Sequence, residues 1–100
     1  MDLGAVTCET FAPYVGNHFQ VSLSDAERVS LELVSATAFT NRTDSRLKRV
    51  PFCLTFRGPK KPLLPQHIYK FEHEKLGAFE VFAVPVGPDA VGMIYEVQFS

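Results

Sequence analysis

The sequence lacks tryptophan and has only two cysteines, Cys8 and Cys53, which form no CxxC pair. Two isolated cysteines in apolar surroundings are typical of buried thiols rather than of a disulfide framework or a zinc site. No stretch approaches the roughly twenty apolar residues of a membrane-spanning helix. The N-terminus also lacks the basic start and long apolar run of a signal peptide. We therefore expect a cytoplasmic protein with no membrane association.

A dominant charge is also missing, because 10 basic and 11 acidic residues leave a formal net charge of −1. Global attraction to nucleic acid or to an anionic membrane is therefore not expected. The basic residues are nevertheless unevenly distributed, since most of them lie in one stretch near the middle of the chain. This candidate basic patch consists of Arg42, Arg46, Lys48, Arg49, Arg57, Lys60 and Lys61. We interpret it first as a solvated surface, with an acidic protein or, less favoured, nucleic acid as alternative partners.

Motifs of known catalytic and phosphate-binding sites are absent, including GxSxG and GxxxxGK[ST]. His67 and His73 share one parity in a predicted strand, but residues six apart in a strand are separated by about 20 Å. One metal ion cannot bind both side chains at that distance. We therefore expect no catalytic residues, no metal and no cofactor, and we expect these histidines at solvated strand ends.

Alternating apolar and polar residues predict about six strands, which suits a single domain of 100 residues. A change of phase near Leu33 and Val34 predicts a β-bulge. Thr7 can cap a short helix over Cys8–Tyr14. The polar segment Thr40–Arg49 is predicted to be a mobile loop. The strands lie around Phe19–Leu23, Val29–Ala38, Phe52–Phe56, His67–His73, Phe79–Val86 and Met93–Phe99.

The regular spacing of these strands predicts an all-β protein, an antiparallel small barrel or sandwich with a short N-terminal helix. The inward-facing residues of the strands form the predicted core. They are Phe19, Val21, Leu31, Leu33, Phe52, Leu54, Phe56, Tyr69, Phe71, Tyr95, Val97 and Phe99.

The predicted strand Phe79–Val86 is unusual because it is apolar on both faces. A strand exposed on one side normally alternates with polar residues. Two explanations are open for the second face. The N-terminal helix or the proline-rich stretch Arg57–Pro65 covers it, or the face pairs with another chain and is a candidate protein interface. The covering residues would be Phe11, Tyr14 and Leu63 or Leu64, and the interface residues are Phe82, Val84 and Val86.

Several glycine- and proline-containing turns follow one another in a recognisable order along the chain. They are the RGP turn at Arg57–Pro59, the LPQHIYKFEH stretch at Leu64–His73, the leucine–glycine turn at Leu76–Gly77, the VPVGPD turn at Val84–Asp89 and the closing strand at Gly92–Glu96. With the start FAPYVGNHFQV, this pattern resembles the DUF6916 family of small bacterial proteins of unknown function. The resemblance implies stand-alone cytoplasmic proteins without assigned activity, encoded near phage-tail-like genes, and it supplies no catalytic residues.

The function predicted from these observations is a non-enzymatic protein-interaction or assembly module, associated with phage-tail-like systems. Its partner is another protein or a second copy of the chain, which would make it a homo-oligomer. The alternative is a small-molecule-binding β-barrel, which would need an interior pocket of several hundred Å³.

Overall fold

Six strands and a short helical segment make up the described part of the protein, which in this computed structural model is residues 1–40 and 49–100. The central part of the predicted mobile loop, residues 41–48, lies outside the described residues. One α-helical turn and one 3₁₀ turn, α1 (Cys8–Phe11) and Ala12–Tyr14, precede the strands. The strands are β1 (His18–Ser22), β2 (Arg28–Ala38), β3 (Phe52–Gly58), β4 (His67–His73), β5 (Gly77–Pro88) and β6 (Met93–Phe99).

The strands form a closed antiparallel barrel in the order β1-β2-β3-β6-β5-β4. Two three-stranded meanders, β1 to β3 and β4 to β6, are joined by the proline-rich crossing at residues 59–66. β6 pairs along β3, from Phe52 opposite Phe99 to Gly58 opposite Met93. β1 pairs with β4 and closes the barrel. The all-β prediction is confirmed, and of its two open architectures the structure has the barrel.

The phase change predicted near Leu33 is confirmed as a shift of register between Leu33 and Ser35 on β2. The extra residue lets Leu33 and then Ala36 face the interior from one continuous strand. A second shift lies between Pro85 and Gly87 on β5. Proline has no N–H for a ladder hydrogen bond, and a bulge tolerates that loss. Gly87 has a φ of 121°, a conformation that favours glycine.

The interior of the barrel is filled by aromatic rings. The ring of Phe56 lies 5.3 Å from Phe19 and 5.0 Å from Phe71, in edge-to-face contacts. Every residue of the predicted core is buried except Tyr69, which is half-buried. Tyr69 stands near the start of β4, where its hydroxyl donates to the carbonyl of Pro65 in the crossing instead of entering the core.

Two segments outside the strands close the barrel ends. Phe11 of α1 is fully buried, and its ring lies 6.0 Å from Phe52, 5.8 Å from Phe79 and 5.7 Å from Phe99. Leu64 of the crossing is buried as well, and its N–H donates to the Tyr95 hydroxyl at 2.9 Å. Both segments therefore complete the core at its ends rather than lie along the outside of the sheet.

His73 was expected at a solvated strand end, and this expectation is wrong because the residue is buried. Its Nδ1 accepts the N–H groups of Lys75 (3.1 Å) and Leu76 (3.3 Å). The proton therefore resides on Nε2, which donates to Oδ1 of Asn17 at 3.0 Å. The ring also packs against Tyr14 at 4.9 Å. His73 thus ties the N-terminal segment to the β4–β5 turn.

Candidate functional site

The structure separates Arg49 from Arg57, Lys60 and Lys61, the other described members of the candidate basic patch. Arg49 precedes β3 and Arg57 stands near its far end, so eight positions, about 26 Å of extended chain, separate them. Lys60 and Lys61 are exposed in the crossing beyond Arg57. Three members of the patch lie outside the described residues, and for them the patch stays a prediction. They are Arg42, Arg46 and Lys48.

Arg49 fastens both ends of the chain to the barrel. Its Nη1 donates to the carbonyls of Leu3 at 2.6 Å and Val6 at 2.7 Å, and its Nε donates to the Ser100 carbonyl at 3.0 Å. The guanidinium carbon lies 5.6 Å from the ring centre of Phe52 and 5.5 Å from that of Phe99. The Nε and Nη1 groups of Arg49 are therefore used in hydrogen bonds within the chain.

Arg57 is likewise engaged, because both its Nε and its Nη2 donate to Oδ2 of Asp89 at 2.9 and 2.7 Å. The other oxygen of Asp89 accepts the N–H groups of Val91 and Gly92, each at 2.8 Å. The Gly92 N–H and the Arg57 guanidinium lower the pKa of Asp89 to about 2. Gly92 also lies so close to the Gly58 carbonyl that a Cβ there would clash with it. Arg57 therefore stabilises the β5–β6 turn.

The second apolar face of β5 is exposed on the outside of the barrel. Phe79 is buried inside, whereas Phe82 and Val86 are 50% and 51% exposed. The explanation that α1 or the crossing covers this face is wrong, since Phe11 and Leu64 fill the barrel ends instead.

Ile68 on β4 extends this face and was missed in the sequence. It lies directly opposite Phe82 in the β4–β5 ladder, and it is 56% exposed. Strand parity was the available signal, because an inward Phe71 places the residue three positions before it on the outer face. Together, Ile68, Phe82, Val84 and Val86 form what we term the outer apolar stripe.

Polar and charged groups border the outer apolar stripe on two sides. On β4, Lys70 lies opposite Glu80 of β5. On β6, Glu96 lies opposite Val84. A groove of about 280 Å³ between β5 and β6 is lined by Phe82, Val84, Glu96 and Gln98. The stripe is therefore bordered by Lys70 together with Glu80 at one corner and by a second acidic group, Glu96, at another.

Comparison with known proteins places the chain in a family. The family model of a domain of unknown function, DUF6916, matches residues 6–99. The chain belongs to the DUF6916 family. No curated protein and no solved structure matches it. Phe11, Phe82 and Ile68 all fall within the part of this DUF6916 domain that the family model covers.

The described residues of this DUF6916 domain hold no group of three or more His, Cys, Asp and Glu side chains that could bind a metal ion. Burial raises the pKa of the Cys53 thiol, and also that of Cys8. A raised pKa keeps a thiol protonated near neutral pH, which makes it a poor nucleophile. Within residues 1–40 and 49–100, no helix has the length and apolar character needed to cross a bilayer.

Proposed function

We propose that this DUF6916 domain is a non-enzymatic protein-interaction or assembly module that docks through the outer apolar stripe. The observation that carries the proposal is the exposed cross-strand pair of Phe82 and Ile68. Single exposed apolar residues are common on soluble proteins, but contiguous apolar groups mark interaction surfaces. A Phe paired with an Ile across two strands, with Val84 next along β5, is such a group.

The barrel does not need the stripe for its own core. Its interior is already packed by rings such as Phe19 and Phe56, and its ends are closed by Phe11 and Leu64. The apolar side chains of the outer face are thus free for another protein. Aromatic residues in an interface commonly contribute most of the binding energy, and Phe82 is the aromatic residue of the stripe.

The second reading is a barrel that binds a small molecule in its interior. Phe19, Phe56, Phe71 and Phe79 meet across that interior with ring centres 5.0 to 6.2 Å apart. Such contacts are those of a packed core, so they support the interaction module rather than a ligand cavity. The proposed setting is the bacterial cytoplasm, in association with phage-tail-like systems.

The stripe predicts that a Phe82→Ser variant folds normally but loses its protein partner. Removing a half-exposed ring changes the free energy of unfolding by about 1 kcal/mol or less. The same change removes the aromatic residue of the docking surface. To test this, wild-type and variant domains are immobilised and used to capture proteins from an extract of the native host. The captured proteins are identified, and binding is then measured again with the purified partner.

Val91→Ser is the matched control, because Val91 is 75% exposed on the β5–β6 turn, away from the stripe. A partner retained by the wild type and by Val91→Ser, but lost by Phe82→Ser, supports the proposal. Equal retention by all three domains, or unfolding of Phe82→Ser, contradicts it.

A further inference from the structure

We infer that the outer apolar stripe docks onto the same stripe of a second copy of this chain, with a two-fold axis passing over Phe82. This inference rests on the proposed function and names the partner. Its basis is charge complementarity: the stripe carries a lysine and a glutamate at diagonally opposite corners around Phe82, and a second copy can pair them.

The strand registers place the two charges symmetrically. Lys70 lies on β4 opposite Glu80, which is two residues before Phe82 on β5. Glu96 lies on β6 opposite Val84, which is two residues after Phe82. Neighbouring strands are about 4.8 Å apart, and two residues span about 6.7 Å along a strand. Each charged residue is therefore displaced from Phe82 by about 8 Å, in opposite directions.

Two identical faces that pack against each other are related by an axis lying in the plane between them. An axis perpendicular to the line from Lys70 to Glu96 exchanges these corners. Lys70 of each copy then faces Glu96 of the other, so the dimer has two equivalent charge pairs. Phe82 packs on Phe82 of the second copy at the centre.

Two further residues of the face find a partner under the same operation, whereas Val86, near the far end of β5, lies outside the contact. Ile68, beside Phe82 on β4, comes over the Val84 region of the second copy, which extends the apolar contact. Gln98, the outward residue two positions after Glu96 on β6, comes over Glu80, whose carboxylate can accept its amide N–H.

Lys70 lies beside two carboxylates of its own chain, Glu80 across the ladder and Glu72 on β4, and it can exchange them for a carboxylate of a second copy. Its Nζ lies 3.9 Å from Oε1 of Glu72, and both side chains are partly exposed. Such surface ion pairs contribute little to stability and are readily exchanged. The stripe has few residues per copy, so we expect a concentration-dependent dimer rather than an obligate one.

Complementary charge reversal tests the inference. Lys70→Glu alone opposes two carboxylates at both corners of the dimer, and Glu96→Lys alone opposes two ammonium groups. Each variant should dimerise at least about tenfold more weakly than the wild type. A one-to-one mixture restores an opposite-charge pair at both corners, so the two variants should form a heterodimer at wild-type affinity. Sedimentation equilibrium measures all four dissociation constants.

Circular dichroism shows whether each variant is folded, and a Glu9→Lys variant, altered on α1, controls for net charge. A mixture that heterodimerises while its components stay monomeric supports the two-fold arrangement, since altered folding of one chain cannot produce that result. A wild type that stays monomeric over the whole concentration range overturns the inference. So do variants that dimerise like the wild type. If the chain does not dimerise but a different protein binds it through Phe82, the proposed function still holds. If no protein binds through Phe82 either, the inference and the proposed function are both contradicted.

Discussion

Replacing Phe56 by alanine is expected to lower the free energy of unfolding by about 3 to 5 kcal/mol. Phe56 is fully buried in the barrel and contacts the rings of Phe19 and Phe71. Truncation removes the transfer free energy of the ring and leaves a cavity that the surrounding strands cannot fill, because the closed ladder fixes their spacing. Urea denaturation followed by circular dichroism gives the value.

The same substitution at Phe82 is the control for the inside–outside assignment of the barrel. Phe82→Ala should cost about 1 kcal/mol or less, because the ring is half-exposed in the isolated chain. Equal losses at Phe56 and Phe82 would contradict the assignment of one ring to the core and the other to the outer surface.

Replacing Arg49 by alanine is expected to cost about 2 to 4 kcal/mol of unfolding free energy. The change breaks three charge-assisted hydrogen bonds at once and leaves the carbonyls of Leu3 and Val6 without their donor. It also removes the cation from the rings of Phe52 and Phe99. Thermal and urea denaturation both report this loss.

Lys60→Ala is the matched control, because Lys60 is an exposed basic residue of the crossing. Its removal should change stability by less than about 0.5 kcal/mol. If Arg49→Ala were as stable as Lys60→Ala, the structural role of Arg49 would be excluded. Arg49 would then again be a candidate binding residue of the basic patch.

The strands and the core were largely predictable because period-two alternation depends only on neighbouring residues. Phe19 and Val21 show their inward face within a few residues, and the bulge after Leu33 appears as a change of phase. The pairing of β1 with β4 is a different matter. It joins segments about fifty residues apart, which alternation does not encode, so barrel and sandwich stayed open in the sequence.

The residues whose surroundings were wrongly predicted have one feature in common. The environment of each is determined by a contact with a residue far away in the sequence. Arg49 is bound by Leu3, which is 46 residues away, and His73 is bound by Asn17, which is 56 residues away. Phe11 packs on rings from three strands, Phe52, Phe79 and Phe99, all more than forty residues away in the chain. Only Ile68 was within reach of sequence reasoning, through its parity with Phe71.

The candidate interface was predictable in part, because a strand apolar on both faces is visible in the sequence. The choice between an internal cover and an external partner was not, since it depends on where α1 and the crossing lie. Once Phe11 and Leu64 are assigned to the barrel ends, the outer face at Phe82 has no cover from these segments.

Hydroxyl-radical footprinting of Phe82 at low and high protein concentration tests the central claim most directly, because it measures exposure of the stripe in the unmodified chain. We expect Phe82 to be oxidised readily in dilute protein and protected as the protein associates, while Val91 is modified equally at both concentrations. The account would be contradicted if Phe82 were as protected as buried Phe79 already in dilute protein. It would also be contradicted if Phe82 gained no protection at any protein concentration or with any bound protein.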